Sequence, residues 1–233
     1  MKHIVLLGDS IFDNAPYVGN DPEVGSQLQS AIPTGWKSTC LAVDGAITYD
    51  IPEQLSAVPS DATHLILSIG GNDALGQIGI FDLRVKSCAE AMLALSSVVH
   101  KFEMAYKKVL DDCLKLKLPL VVCAIYNGCF PDQAYQQCVQ VAIALYNDVI
   151  IRLATERKLK VIDLRLVCSC PEDYANPIEP SAIGGAKIVD AILQVVQYHD
   201  EIKNSFNATR QWQRWQRSLA LVYQVIKYYL RRP

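Results

Sequence analysis

A chain of 233 residues is long for one small domain and short for two, so one domain with a terminal extension is expected. With 51% hydrophobic and 20% charged residues it can bury a sizeable core. The formal net charge of −2 argues against nucleic acid as a partner, because phosphate contacts need clustered cations.

The chain opens on Met1-Lys2-His3-Ile4-Val5-Leu6-Leu7-Gly8, an apolar run too short for a secretory core and with no small-residue cleavage site after it. It reads instead as a first strand, Ile4–Gly8. A helical pattern near Glu23–Ala31 follows, then a strand over Ser38–Val43, a helix near Ile51–Ala57 and a strand over His64–Ile69. Next come a long helical segment, Val85–Lys117, a strand over Leu118–Ile125, a helix over Gln133–Arg157, a strand over Leu159–Leu164 and a helix over Ser181–Gln197. The Val85–Lys117 segment exceeds an ordinary globular helix, so a break inside it is expected, although no Pro or Gly marks one. The strands are rich in Val, Ile and Leu without strict alternation, the pattern of strands buried on both faces. The alternating order implies a parallel sheet with helices on both sides. No stretch reads as long and apolar enough to span a membrane, and the expected location is the cytoplasm. Eight cysteines (Cys40, Cys88, Cys113, Cys123, Cys129, Cys138, Cys168 and Cys170) read as buried apolar side chains or free thiols. Cys168-Ser169-Cys170 lacks the second ligand pair that structural zinc requires.

In an open α/β sheet, ligands bind outside the carboxyl ends of the strands. Three of those ends are unusual here: Gly8-Asp9-Ser10, Val43-Asp44-Gly45-Ala46 and Gly70-Gly71-Asn72-Asp73. Singly, each is an ordinary turn or cap. Together they bring a hydroxyl, a glycine N–H and a carboxamide to one crevice, which is a nucleophile with two oxyanion donors.

These blocks resemble those of the SGNH/GDSL hydrolases over roughly the first 197 residues. Gly8-Asp9-Ser10 looks like the nucleophile block, Gly45 like the second-block glycine, and Gly70-Gly71-Asn72-Asp73 like the Gly-x-Asn-Asp block. The resemblance implies a flavodoxin-like three-layer α/β/α sandwich with a five-stranded parallel sheet. It implies that Ser10 attacks an acyl carbonyl, that the N–H groups of Ser10 and Gly45 and the side-chain amide of Asn72 hold the oxyanion, and that a small-molecule ester is hydrolysed without metal or organic cofactor.

The family's last block reads Asp-x-x-His, and here the matching stretch is Asn176-Pro177-Ile178-Glu179, followed by Pro180-Ser181. Asn176 stands in the acid's place and Glu179 in the base's. His3 and His64 begin strands, on the order of 20 Å from the crevice at 3.3 Å per residue. His100 lies in the long helix and His199 beyond the last. Two readings of Glu179 remain open. In one it is a general base, as in the Ser-Glu-Asp arrangement of sedolisin peptidases, with burial raising its pKa and Asp173 or Glu172 as a coupled carboxylate. In the other the site is catalytically impaired and the protein binds a ligand or serves as a scaffold. A nucleotide or flavin binder is disfavoured, because the first turn lacks a phosphate-cradling glycine pattern. Asp9 is expected to accept backbone N–H bonds at its turn and Asp73 to cap or orient the third turn. Asp13 and Asn14 stand either at the cleft entrance or in solvated loops. Asp9, Asp13 and Asp73 show no recognisable metal-ligand spacing.

Residues 1–198 are therefore read as the hydrolase-like domain and 199–233 as a basic amphipathic helical extension. Trp212, Trp215, Leu219, Val222, Ile226 and Tyr229 form one apolar seam at helical spacing, with Arg210, Arg214, Arg217, Lys227, Arg231 and Arg232 interleaved. That seam suits packing on the domain, a membrane surface or a dimer contact through 210–232.

Overall fold

The structure, a computed structural model, describes residues 2–197. The basic helix expected over 199–233, and the membrane or dimer contact assigned to it, lie outside the described residues. So does His199.

Five strands, β1 (His3–Gly8), β2 (Lys37–Cys40), β3 (His64–Ser68), β4 (Leu120–Ala124) and β5 (Lys160–Asp163), form one parallel sheet in the order β2-β1-β3-β4-β5. The register sets Gly8 beside Ser68 at the carboxyl ends of β1 and β3. Every residue of β1, β3 and β4 is buried, which explains their unbroken apolar runs.

The helices are α1 (Val24–Ala31), α2 (Ile51–Ser56), α3 (Gly71–Leu75), α4 (Cys88–Lys115), α5 (Gln133–Glu156), α6 (Leu164–Val167) and α7 over 182–197. On one face of the sheet Val5, Leu7, Leu65, Leu67, Leu120 and Val122 cluster with Phe102, Tyr106 and Val109 of α4 and Tyr146 and Ile150 of α5. The Phe102 ring lies 4.7 Å from that of Tyr146 and 5.3 Å from that of Tyr106, an aromatic layer between the two long helices. The alternate residues Ile4, Leu6, Ile66, Val121 and Cys123 point to the other face and are also buried. Val24 and Leu28 of α1 and Ile188 and Ile192 of α7 are buried outside the first cluster. The result is a three-layer α/β/α sandwich.

Three boundaries and one composition reading depart from the sequence reading in ways that have a local reason. Residues 41–43 leave the β2 ladder, although Leu41 and Val43 still donate N–H bonds to Leu6 and Gly8. The long helix is unbroken and begins at Cys88, because the Ser87 hydroxyl accepts the Glu90 N–H while the Glu90 carboxylate accepts the Lys86 N–H, a capping arrangement that ends the preceding loop. The fifth strand stops at Asp163, whose carboxylate caps α6 through the Arg165 N–H. Finally, α5 is long and apolar enough by length and composition to cross a membrane, contrary to the reading that no segment is. Its buried face, Ile143, Tyr146, Val149, Ile150 and Leu153, lies in the domain core.

Candidate active site

The strand order reverses at β1: β2 lies on one side and β3 on the other, so the switch point opens between the carboxyl ends of β1 and β3. Ser10 sits on the turn that leaves β1, and Gly71-Asn72 begin the helix that leaves β3. Gly8 is held at φ 140°, and a Cβ there would stand 1.8 Å from the Ser68 carbonyl oxygen, so only glycine lets the strands close at this point. The Gln54 side chain fastens the same residue, accepting the Gly8 N–H at 2.8 Å and donating to the Gly8 carbonyl at 2.7 Å.

The Ser10 hydroxyl donates to Oε1 of Glu179 at 3.0 Å, and both side chains are buried. The residue in the histidine's place is therefore in hydrogen-bond reach of the nucleophile candidate. The other carboxylate oxygen, Oε2, is buried without a hydrogen-bond partner among the described residues. Glu179 is presented by a loop whose backbone is satisfied group by group. Asn176 Oδ1 accepts the N–H groups of both Ile178 and Glu179, at 2.9 and 3.0 Å. The four consecutive carbonyls from Pro177 to Pro180 accept, in turn, from Cys129 N–H, the Tyr126 hydroxyl, Ala175 N–H and the Asn14 amide. Asn14 is fully buried, and its Oδ1 also accepts the Val24 N–H. Asn176 thus acts on Glu179 through its backbone, by an Asx turn, with no contact to the Glu179 side chain among its hydrogen bonds.

Both carboxyls beside Ser10 are raised. Burial pushes Glu179 up to about 7 against the opposing Ser10 hydrogen bond, with Asp44 adding repulsion. Burial also pushes Asp9 up to about 7, opposed by the Ile11 N–H, with the charges of Glu179 and Asp73 adding to the rise. The carboxylate coupled to the site is Asp9. Asp173 is engaged elsewhere: it pairs with Lys187 at 2.6 Å and caps the Ser169 and Cys170 N–H groups.

Ser10, Glu179, Asp9, Asn72 and Gly71 line one cleft, whose remaining walls include Leu75, Ile125, Phe130, Val139 and Ile143. Asn72 donates one amide N–H to the Ala46 carbonyl at 3.0 Å; a carboxamide carries a second. Asp73 accepts the N–H and hydroxyl of Thr48, tying the third turn to the second. Gly45, at φ 79°, lines a recess with Leu41, Asp50 and Gln54, and the next residue, Ala46, accepts the Asn72 amide. Asp13 accepts the Asp44 N–H, and Asp44 accepts the Tyr17 hydroxyl. His3 and His64 lie at the opposite edge of the sheet, and His100 is exposed on α4.

Sequence reasoning missed the carboxamides that hold the strand ends. Gln54 clamps Gly8, and Asn147, fully buried, clamps both backbone groups of Ile125 at 2.7 Å. Their signal was a lone amide on an otherwise apolar helix face. Gln136 was missed in the same way; it accepts the Phe130 N–H and donates to the Asn127 carbonyl, shaping the cleft's outer loop.

The sequence model of the GDSL-like lipase/acylhydrolase family matches residues 6–187. No curated protein sequence matches the chain. Among solved structures, an extracellular lipase from Streptomyces rimosus superposes with a TM-score of 0.65 at 17% identity, covering 83% of this chain and 99% of that one. A phospholipase A1 from Streptomyces albidoflavus gives 0.64 at 15% identity, covering 83% and 98%. A carbohydrate acetylesterase from Sinorhizobium meliloti gives 0.59 at 12% identity, covering 85% and 99%. These likenesses show that the fold is shared.

Proposed function

Because the chain belongs to the GDSL-like lipase/acylhydrolase family, we propose that it hydrolyses carboxylic esters by acyl transfer through Ser10, with Glu179 as general base. One observation carries this reading: the buried 3.0 Å hydrogen bond from the Ser10 hydroxyl to Glu179 at the switch point of the sheet.

The chemistry follows from that bond. As Ser10 Oγ attacks the acyl carbonyl, its proton passes to Oε1 of Glu179. Collapse of the tetrahedral intermediate breaks the bond to the alkoxide, which takes the proton from Glu179. Water then attacks the acyl-serine and gives a proton to Glu179; collapse of the second intermediate breaks the bond to Ser10 Oγ, which takes that proton back, and the carboxylic acid leaves. A carboxylate at its ordinary pKa is a poor base toward serine; one raised to about 7 has greater proton affinity and is still largely ionised slightly above neutrality. The fixed loop keeps the carboxylate aimed at Oγ, so little reorganisation is needed during reaction. The second N–H of Asn72 and the Ser10 N–H supply oxyanion donors, and removing one such donor typically costs about 3 kcal/mol.

The relatives span a lipase, a phospholipase and an acetylesterase, so the family by itself leaves the acyl length open. The test is covalent labelling with an organofluorophosphonate ester followed by peptide mass mapping. The adduct is expected on Ser10 of the parent and not on the folded Ser10→Ala variant. Ester hydrolysis that survives in Ser10→Ala at the parent rate sinks the reading.

A further inference from the structure

The outward surfaces of α4 and α5 change character along each helix. From Lys101 onward the exposed positions of α4 include Lys107, Lys108, Asp111 and Lys115, and the exposed positions late in α5 include Asp148, Arg152 and Glu156. The N-terminal halves carry no charged residue between Ala91 and Val99 or between Gln133 and Asn147. Exposed there instead are Leu93 (70%), Met92 (60%) and Val141 (58%). A surface groove lies between these two halves, lined by Ala91, Ala94, Ala134 and Ala142, and by Leu83 and Val85 from the segment that follows the short helix Ile78–Asp82. No residue that lines it is charged. Five of the fourteen large apolar side chains exposed among the described residues (Leu83, Val85, Met92, Leu93 and Val141) line the groove or stand on the helix turns beside it. Apolar surface gathered in this way, and not scattered singly, marks a contact.

We propose that this surface is the contact between two copies of the chain, related by a two-fold axis. The inference goes beyond the Ser10 reading and does not depend on it. Loss of charge from one stretch of a helix surface that is charged elsewhere is the mark of an interface core. Two features select protein over lipid as the covering layer. Gln137 lines the groove, and Ser96 and Ser97 are exposed on the same half of α4; their hydrogen-bonding groups find partners in a protein and none in hydrocarbon. The charges that border the patch are of both signs, Asp82, Glu90 and Asp132 against Arg84 and Lys86. All five are exposed, and none is in an ion pair among the described residues. An anionic lipid surface selects a basic border, whereas a mixed border offers each copy cations for its partner's acids. Shape then favours a second copy over an unrelated chain. In a two-fold contact one patch must carry both the projection and the recess, because residue i meets j while j meets i. Both are present here: Leu93 and Val141 project, and the alanines leave the recess beside them.

The test is sedimentation equilibrium of the full chain over a range of concentrations, beside Leu93→Glu, Val141→Glu and, on the charged half of α4, Lys108→Glu. The parent is expected to sediment at twice the chain mass. Leu93→Glu and Val141→Glu are each expected to weaken the dimer at least about a hundredfold, because each places two uncompensated charges in the contact. Lys108→Glu is expected to leave the dimer as it is. Leu93 and Val141 are exposed, so the substitutions cost the fold little, as melting curves will show. If a glutamate variant does not fold, the milder Leu93→Ser carries the test, with a weakening in the same direction. A parent that stays monomeric at every concentration overturns the proposal. So does a dimer that neither Leu93→Glu nor Val141→Glu weakens, since the copies then meet through another face. A monomeric parent that floats with phosphatidylcholine–phosphatidylglycerol vesicles, and no longer does so in the two variants, also overturns it and assigns the surface to lipid.

Discussion

The two edges of the sheet carry nearly the same chemical groups and do different things with them. At the amino edge, His3 is buried, its Nδ1 is 2.7 Å from Asp61 Oδ1 and its Nε2 is 2.8 Å from the Thr39 hydroxyl. Acid, imidazole and hydroxyl are in line, as in a hydrolase triad. At the carboxyl edge the described residues supply no imidazole, only Ser10 on a buried glutamate. What separates them is the backbone that bears the hydroxyl. Thr39 is a ladder residue of β2, in register with Val5, on a pleated strand. Ser10 stands on a turn at the topological switch point and lines a cleft. The acids differ too: Asp61 is solvent-facing and pulled down to about 2 by Lys37 and then His3, whereas burial raises Glu179 to about 7. An acid held at about 2 is committed to its ion pairs; one at about 7 can take and return a proton near neutral pH. Position in the fold, more than the identity of the groups, makes one edge a candidate site.

The sharpest way to break this comparison is to remove the charge at the carboxyl edge. Glu179→Gln keeps the shape and a carbonyl acceptor for Ser10 but cannot take its proton. We expect ester kcat/KM to fall about 10²–10⁴-fold, the range that general-base catalysis supplies. In the parent the active form is the carboxylate, so the rate should rise with pH through about 7 and level off above it; in the variant that rise should be lost. An undiminished rate in Glu179→Gln, measured on short esters, rules out Glu179 as the base.

How much of this was legible beforehand follows the same divide between local and long-range order. Strands β1, β3 and β4 were readable because burial on both faces writes an unbroken apolar run. The turns after β1 and β3 were readable because Gly8 and Gly70 are demanded by close approach and positive φ. Glu179 was located by its frame beside Pro180-Ser181, but its contact with Ser10 spans 169 positions in sequence, and no local pattern encodes such a bond. The same holds for Asn14, whose amide reaches Pro180, and for Gln54 on Gly8. Of the two acids, Asp173 and Glu172, that proximity along the chain offers as a coupled carboxylate, Asp173 is claimed by Lys187 of α7. The start of α4 was misread because apolar Val85 continues the helical period, while the Ser87 cap decides where the helix begins.

A medium-sized effect tests the electrostatic half of the comparison. Glu179 titrates at about 7 in the fold, against an ordinary 4.5. Between those values the folded protein keeps a proton that the unfolded chain has lost. Protonation therefore favours the fold: the stabilisation is complete below about pH 4.5 and is lost as pH rises through 7. Above that, the ionised buried carboxylate is a cost. Glu179→Gln should thus be more stable than the parent by about 2 kcal/mol near pH 8 and indistinguishable from it near pH 4, read from denaturant midpoints at the two pH values. A stability difference that does not change with pH would mean that Glu179 is not buried as an ionisable group, and the contrast with Asp61 would lose its basis.

The smallest expected change in rate belongs to the other edge. His3→Gln removes the imidazole from the line that joins Asp61 to Thr39. If that line is structural, its loss is felt only by the fold. Two hydrogen bonds at a buried side chain are broken or lengthened, and a glutamine can remake at most part of the pattern, so stability should drop by about 1–2 kcal/mol. The ester rate per folded molecule should stay within about twofold of the parent, because Ser10 is on the order of 20 Å away along β1. Thr39→Val should behave alike, with a smaller loss of stability, since the hydroxyl alone is removed from an otherwise intact ladder. The two variants together should lose little more than His3→Gln by itself, as expected when both substitutions break one shared contact. A large fall in kcat for His3→Gln, in protein whose melting curve is otherwise normal, would move the chemistry to the amino edge.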